Sequence, residues 1–226
     1  REKEYRQFLF YKYFYSNKKP LIITEGKTDI LYIKAALKSL SEDYPELIES
    51  KGNGEFVFKV SFLNRTSRLA YFFDYSVDGA DGMGVLCKFF VDTDNNYPNY
   101  YEKFNRLCNR KDSNPVIFVF DNELSNKEKP ISKFFKQKDF KSKKEEISKE
   151  LVVRLTDKAN LYLVTNPLVG NNAECEIEEL FDQSVRDVKI NGKELSLSND
   201  PDFKTTYTLY NFSSLCFLEN IDFLYK

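Results

Sequence analysis

Two short apolar runs in this chain end on carboxylates. Leu21-Ile-Ile-Thr runs directly into Glu25-Gly26-Lys27-Thr28-Asp29, and Val116-Ile-Phe-Val-Phe runs into Asp121-Asn122-Glu123. Short apolar runs bounded by turn residues read as buried strands. In a parallel sheet, ligands collect at the carboxyl ends of the strands. Acids at two such ends offer the hard oxygen donors that Mg²⁺ or Mn²⁺ prefers, so the two edges together read as a seat for a divalent metal. A plainer reading competes, in which Glu25 and Asp29 cap the helix that starts near Thr28 and interact with its dipole.

Composition narrows the chemistry further. The 226 residues include no histidine, which excludes imidazole acid–base catalysis, histidine triads and histidine-ligated metals. Cys87, Cys108, Cys175 and Cys216 lack CxxC spacing and read as reduced thiols. Carboxylate, lysine, tyrosine and metal chemistry remain. With 34 basic and 35 acidic residues, overall charge gives no pull toward nucleic acid, so any such binding must come from local patches. Between Lys127 and Lys144 eight lysines accompany only Glu128 and Asp139, with Phe134, Phe135 and Phe140 interleaved. This segment either tracks a phosphate backbone, through Lys133, Lys136 and Lys138, or is a solvated face. No stretch approaches the length of a membrane span. The first residue is Arg and no signal pattern follows it, so the chain reads as part of a longer cytoplasmic protein whose missing portion lies upstream.

The elements that must position these residues follow from periodicity. Residues 1 to 19, with Tyr5, Phe8, Phe10, Tyr11, Tyr13, Phe14 and Tyr15, read as an aromatic helix linking to an upstream domain. It either packs against this domain or its missing neighbour, or offers a stacking platform for bases. After the first strand, Ile30, Ile33, Leu37 and Leu40 define the core side of a helix, with Lys34 and Lys38 outside and Asp29 in its first turn. Residues 56 to 62 read as a second strand. Gly82 and Gly84, in Asp78-Gly-Ala-Asp-Gly-Met-Gly, either bring backbone N–H groups to a phosphate or simply start the helix containing Val85, Leu86, Phe89 and Phe90. A helix around 100 to 108 precedes the third strand at 116 to 120, and Leu161 to Thr165 forms the fourth. Glu174 to Asp182 reads as a helix with Ile177, Leu180 and Phe181 inward, and Asp187 to Leu197 as a hairpin around Asn191-Gly192. The sum is an α/β domain with a mainly parallel four-stranded sheet flanked by helices.

The Glu25-Gly26-x-x-Asp29 turn and the later Asp121-Asn122-Glu123 resemble the signature of the TOPRIM fold. That fold is shared by topoisomerases, bacterial primases, some ribonucleases and the overcoming-lysogenization-defect nucleases. Glu123 stands where the family has Asp. In EGKTDILYIKAAL and the Asp81-Gly-Met-Gly loop, the chain is most similar to TOPRIM domains fused behind some retron reverse transcriptases, over roughly residues 20 to 182.

The resemblance implies a Rossmann-like catalytic domain over 20–182 and an extension over 183–226 packed on it. It implies a nuclease using one or two Mg²⁺ or Mn²⁺ ions, with Asp121 and Glu123 as principal ligands and Asp29 in support. Glu25 is then a further ligand or general acid/base, and Gly26 and Lys27 lie by the phosphate. Ile177-Glu178-Glu179 resembles the pattern that carries a further acid in nuclease members, so Glu178, and after it Glu179, is expected to hold a second ion; an acidic solvent face is the alternative. Acids gathered without metal would repel one another, so neutralising Asp121 or Glu123 is expected to leave stability equal or higher. The implied role is the toxic effector of an antiphage retron, restrained by an upstream reverse transcriptase and its RNA–DNA product, with RNA favoured over DNA as substrate and a homo-oligomer left open. From a different class, the alternative is a catalytically inactive TOPRIM-like module that binds nucleic acid or its polymerase.

Overall fold

The structure is a computed structural model that describes residues 1–75, 81–91, 96–109, 113–137, 140–187, 189, 192–195 and 206–207. In chain order its elements are α1 (Glu2–Phe10), a π turn (Tyr11–Tyr15), β1 (Leu21–Thr24), α2 (Lys27–Ser39), β2 (Ile48–Ser50), β3 (Phe56–Phe58) and β4 (Ser61–Phe62). There follow α3 (Ser67–Phe73), α4 (Asp81–Val91), α5 (Tyr100–Cys108), β5 (Val116–Phe120), α6 (Pro130–Phe134), a 3₁₀ turn (Lys141–Lys143) and α7 (Lys144–Glu150). The chain closes with β6 (Val152–Thr156), β7 (Leu161–Thr165), a 3₁₀ turn (Ile177–Leu180), α8 (Gln183–Arg186), β8 (Glu194–Leu195) and β9 (Thr206–Tyr207). Two compact units result: Arg1–Glu25 with Val60–Cys175, and Gly26–Lys59 with Glu176–Lys226.

The first unit holds a five-stranded sheet in the order β4-β1-β5-β7-β6. All neighbours pair in parallel except β6, which runs antiparallel to β7 along one edge. The expected four strands become five. β6 was not anticipated, and residues 56–62 break into two strands, of which only Ser61–Phe62 joins this sheet beside β1. In β5, Val116, Phe118 and Phe120 are buried, as expected of a central parallel strand covered on its faces by helices. The arrangement is α/β with a mainly parallel sheet, compatible with a Rossmann-like fold. No described helix is long and apolar enough to cross a membrane.

Aromatic rings fill much of this core. Phe10 and Phe14 are fully buried, and Phe10 lies 4.8 Å from Phe90 and 5.5 Å from Tyr100, centroid to centroid, in tilted contacts of the kind such rings prefer. Of the two readings for the N-terminal aromatics, packing within this unit accounts for Leu9, Phe10, Phe14 and Tyr15. Phe8, at 53 % exposure, stays on the surface.

In the second unit β2 and β3 form an antiparallel pair, joined by a turn in which Gly52 and Gly54 both take positive φ. α2 buries Tyr32 and Ala35, whereas the expected Ile30, Ile33, Leu37 and Leu40 are half-buried. The β2–β3 pair explains the shift: the ammonium groups of Lys34 and Lys38, expected to point into solvent, lie over the rings of Phe58 and Phe56 at 5.9 and 5.7 Å. Residues 174–182 form only the short 3₁₀ turn rather than a helix. β8 pairs with β9 in parallel; the hairpin expected over Asp187 to Leu197 falls largely on residues outside those described.

Candidate functional site

Three strand ends of the first unit meet through hydrogen bonds. Glu25 follows β1, Asp121 follows β5 and Asn166 follows β7; the parallel register sets Asn166 level with Asp121 and Glu25 one residue short of it. The backbone N–H of Asp121 donates to Glu25 Oε1 at 3.0 Å. Asn166 Nδ2 donates to Asp121 Oδ1 at 2.9 Å, and the Asn166 carbonyl accepts from Asn122 Nδ2 at 2.7 Å. Asn122 in turn exchanges two backbone hydrogen bonds with Cys175, at 2.9 and 2.8 Å. The Arg65 side chain donates to the Glu25 carbonyl. Glu25 and Asp121 are only half-buried, so two oriented carboxylates stand at the mouth of a rigid frame. Asn166 and Arg65, which frame them, carry no charge pattern that marks a metal cluster in sequence.

Glu123 takes no part in this frame. It is 5 % exposed and ion-paired with Lys129. Successive turns, closed by Asn126 N–H to the Glu123 carbonyl at 3.2 Å and Lys129 N–H to the Asn126 carbonyl at 3.3 Å, fold Lys129 back over it before Pro130 opens α6. The longer arm of Glu at this position therefore meets a cation, and the expected repulsion between Glu123 and its neighbours is replaced by attraction.

Asp29 and Glu178 belong to the second unit. The Gly26 N–H donates to Asp29 Oδ2 at 2.8 Å, so Asp29 satisfies a backbone donor at the start of α2. A Cβ on Gly26 would come within 2.8 Å of Asp29 Oδ1, which explains the glycine without positive φ. Lys27 is exposed. Glu178 is 5 % exposed, and burial pushes its carboxyl up to about 7, opposed by hydrogen bonds from the backbone and Tyr32 and reinforced by the charges of Asp29 and Glu176. Glu179 instead accepts from the Glu176 N–H at 2.9 Å. Of the two acids, Glu178 turns inward and Glu179 caps its turn.

The expected phosphate-binding glycines lie inside α4 rather than in a loop before it. Both are buried, and a Cβ on Gly84 would meet Gln137 Nε2 at 2.6 Å. The atom met is the far end of the flexible Gln137 side chain, which packs against Gly84. In the lysine segment, Phe134, Phe135 and Phe140 belong to the core, with Phe134 stacked on Phe140 at 4.7 Å. Lys133 is exposed, Lys136 donates to the Lys127 carbonyl at 2.8 Å, and Lys138 lies outside the described residues.

Among the described residues, no three acid, Cys or His side chains come together closely enough to hold a metal ion. Glu25 and Asp121 nonetheless fit Mg²⁺, which is commonly held by one or two carboxylates while water and substrate phosphate complete its shell. No protein-family model matches the chain, and no solved structure matches it.

Proposed function

We propose that this chain is a metal-dependent nuclease domain of the TOPRIM type, hydrolysing phosphodiester bonds of nucleic acid. One observation carries the reading: the Glu25 carboxylate is held on the Asp121 amide at the ends of neighbouring parallel strands. Glu25 and Asp121 are the residues to hold Mg²⁺ or Mn²⁺, which supplies the Lewis acidity that neutralises the phosphate. Asn166 orients Asp121, and the Asp121 amide orients Glu25, so neither acid must reorganise as charge develops. The resemblance of Glu25–Leu37 to retron-associated domains extends the proposal to a toxic effector in the cytoplasm, restrained by an upstream reverse transcriptase and its RNA–DNA product, with structured RNA as the favoured substrate.

The Glu123–Lys129 ion pair favours a second reading, a TOPRIM-like module that binds nucleic acid or its polymerase without cutting, because it removes one expected ligand. Incubation of the chain with labelled RNA and DNA in Mg²⁺ or Mn²⁺ separates the two. Product that forms only with metal supports the nuclease, and binding without product supports the module.

A further inference from the structure

The first unit opens a cleft of about 650 Å³ whose lining includes Asn122, the residue after Asp121, with Leu124, Leu168, Lys141, Ser142 and Lys144. We propose that this cleft receives one unpaired nucleotide next to the scissile phosphate, so that the substrate is single-stranded or has a base extruded from its duplex. The inference rests on the nucleic-acid reading above and specifies the form of that substrate.

Charge gives the first argument. Glu145 also lines the cleft, but Lys149 engages it at 2.8 Å, and Lys143 is engaged by Glu146 at 2.9 Å. Among the described residues, Lys141 and Lys144 make no ion pair. The cations left over therefore line the cavity, with the Ser142 hydroxyl beside them as a further donor. This is the chemistry of a phosphate seat.

The apolar wall gives the second argument. Leu168 is 48 % exposed and, with Leu124, leaves hydrophobic surface in a cleft rimmed by cations. A base face covers such surface whatever its sequence. Size gives the third, since the volume falls in the roughly 300–1,000 Å³ range of small-ligand pockets. A single nucleotide fits; a stacked, paired duplex does not, because its bases are closed off inside the helix.

The Phe134–Phe140 aromatics are in the core, so base contact in this region falls to the two leucines. Asn122, the residue after Asp121, lines the cleft, so the seat begins one residue along the chain from the proposed metal ligand.

The test is binding of a fluorescent oligonucleotide, as RNA and as DNA, single-stranded and as a blunt duplex, measured by anisotropy in EDTA across a salt series. The full chain should prefer the single strand by about tenfold or more. Lys141→Ala with Lys144→Ala should weaken single-strand binding by about tenfold and lower the slope of log K against log salt by about 1.4, while moving duplex binding less. Leu168→Ala should weaken single-strand binding with the salt slope unchanged. Thermal melting confirms that these surface variants fold. If the wild type binds and cuts but the lysine and leucine variants bind like it, the nucleotide seat is refuted and the nuclease reading stands. Equal affinity for single strand and duplex refutes the seat in the same way. A wild type that neither binds nor cuts refutes both.

Discussion

Glu25 and Asp121, 96 residues apart in sequence, are joined by a hydrogen bond from the Asp121 amide to Glu25 Oε1. Glu25 thus depends on Asp121's strand for its place, as Asp121 depends on Asn166 after β7. Glu25→Gln retains an acceptor for that amide but removes the charge; Glu25→Ala removes both. Cleavage should fall about a hundredfold or more in either variant. Only Glu25→Ala should also cost stability, by about 1–2 kcal/mol, because it leaves a backbone donor without its partner. Product formation in Mn²⁺, with urea unfolding alongside, checks both halves, and near-wild-type turnover in Glu25→Gln rejects the site.

Asn166 Nδ2 bonds Asp121 Oδ1, so under the proposed function it works through Asp121 rather than on the phosphate. Asn166→Ala should leave the fold in place, because the Asn122 side chain bonds the Asn166 backbone carbonyl, which the variant retains. Metal affinity should drop about 10- to 100-fold, as for other residues that orient a ligand. Titration of metal-dependent turnover would show this as a shift in the Mn²⁺ concentration required; an unchanged midpoint would make Asn166 a framework residue only.

The Glu123–Lys129 pair should respond unequally to its two deletions. Lys129→Ala strands a carboxylate whose side chain is 6 % exposed, whereas Glu123→Gln leaves a lysine at 38 % exposure with water close by. The first should cost about 2–4 kcal/mol and the second about 1 kcal/mol. Denaturant midpoints of the two variants decide it. Equal costs, or stabilisation by Glu123→Gln, would show that repulsion among the acids outweighs the ion pair.

Glu178 makes stability depend on pH with a definite sign. Its folded carboxyl is raised from 4.5 to about 7, so the folded chain holds a proton that the unfolded chain releases between those values. The stability linked to that proton is complete below pH 4.5, declines as pH rises, and is lost by roughly 3 kcal/mol above pH 7. Glu178→Gln should flatten the decline and be more stable than wild type at pH 8. Urea unfolding at pH 5 and pH 8 tests this, and a parallel pH dependence in both proteins would rule out Glu178 as its source.

β1, β5 and β7 are legible because each is a compact apolar run with polar residues at its end. β6 is less so, since Val152-Val-Arg-Leu-Thr is short and interrupted by Arg154, without the continuous apolar run of the buried parallel strands. The Glu25–Asp121 relationship is legible because two acids end two such runs. Asn166 is not legible as a site residue because an uncharged amide at a strand end looks like any loop residue; its signal is positional, a polar residue straight after β7 matching Asp121 after β5. The Glu123–Lys129 pair depends on two consecutive turns between them, and no charge count reveals which of eight lysines is folded back. Gly82 and Gly84 mislead in sequence because a glycine buried within a helix and one that admits a phosphate look the same.

The strand order also sets the sequence of events during synthesis. β1 lies between β4 and β5, and β4 emerges soon after it, but its other edge waits for β5. At translation speeds of about 5–20 residues per second, that edge stays open for on the order of ten seconds. An open, apolar strand edge is a template for pairing with another chain. Nascent chains caught between Phe62 and Val116 are thus the form of this protein most in need of a chaperone, and a chain stopped there keeps that edge for its whole lifetime.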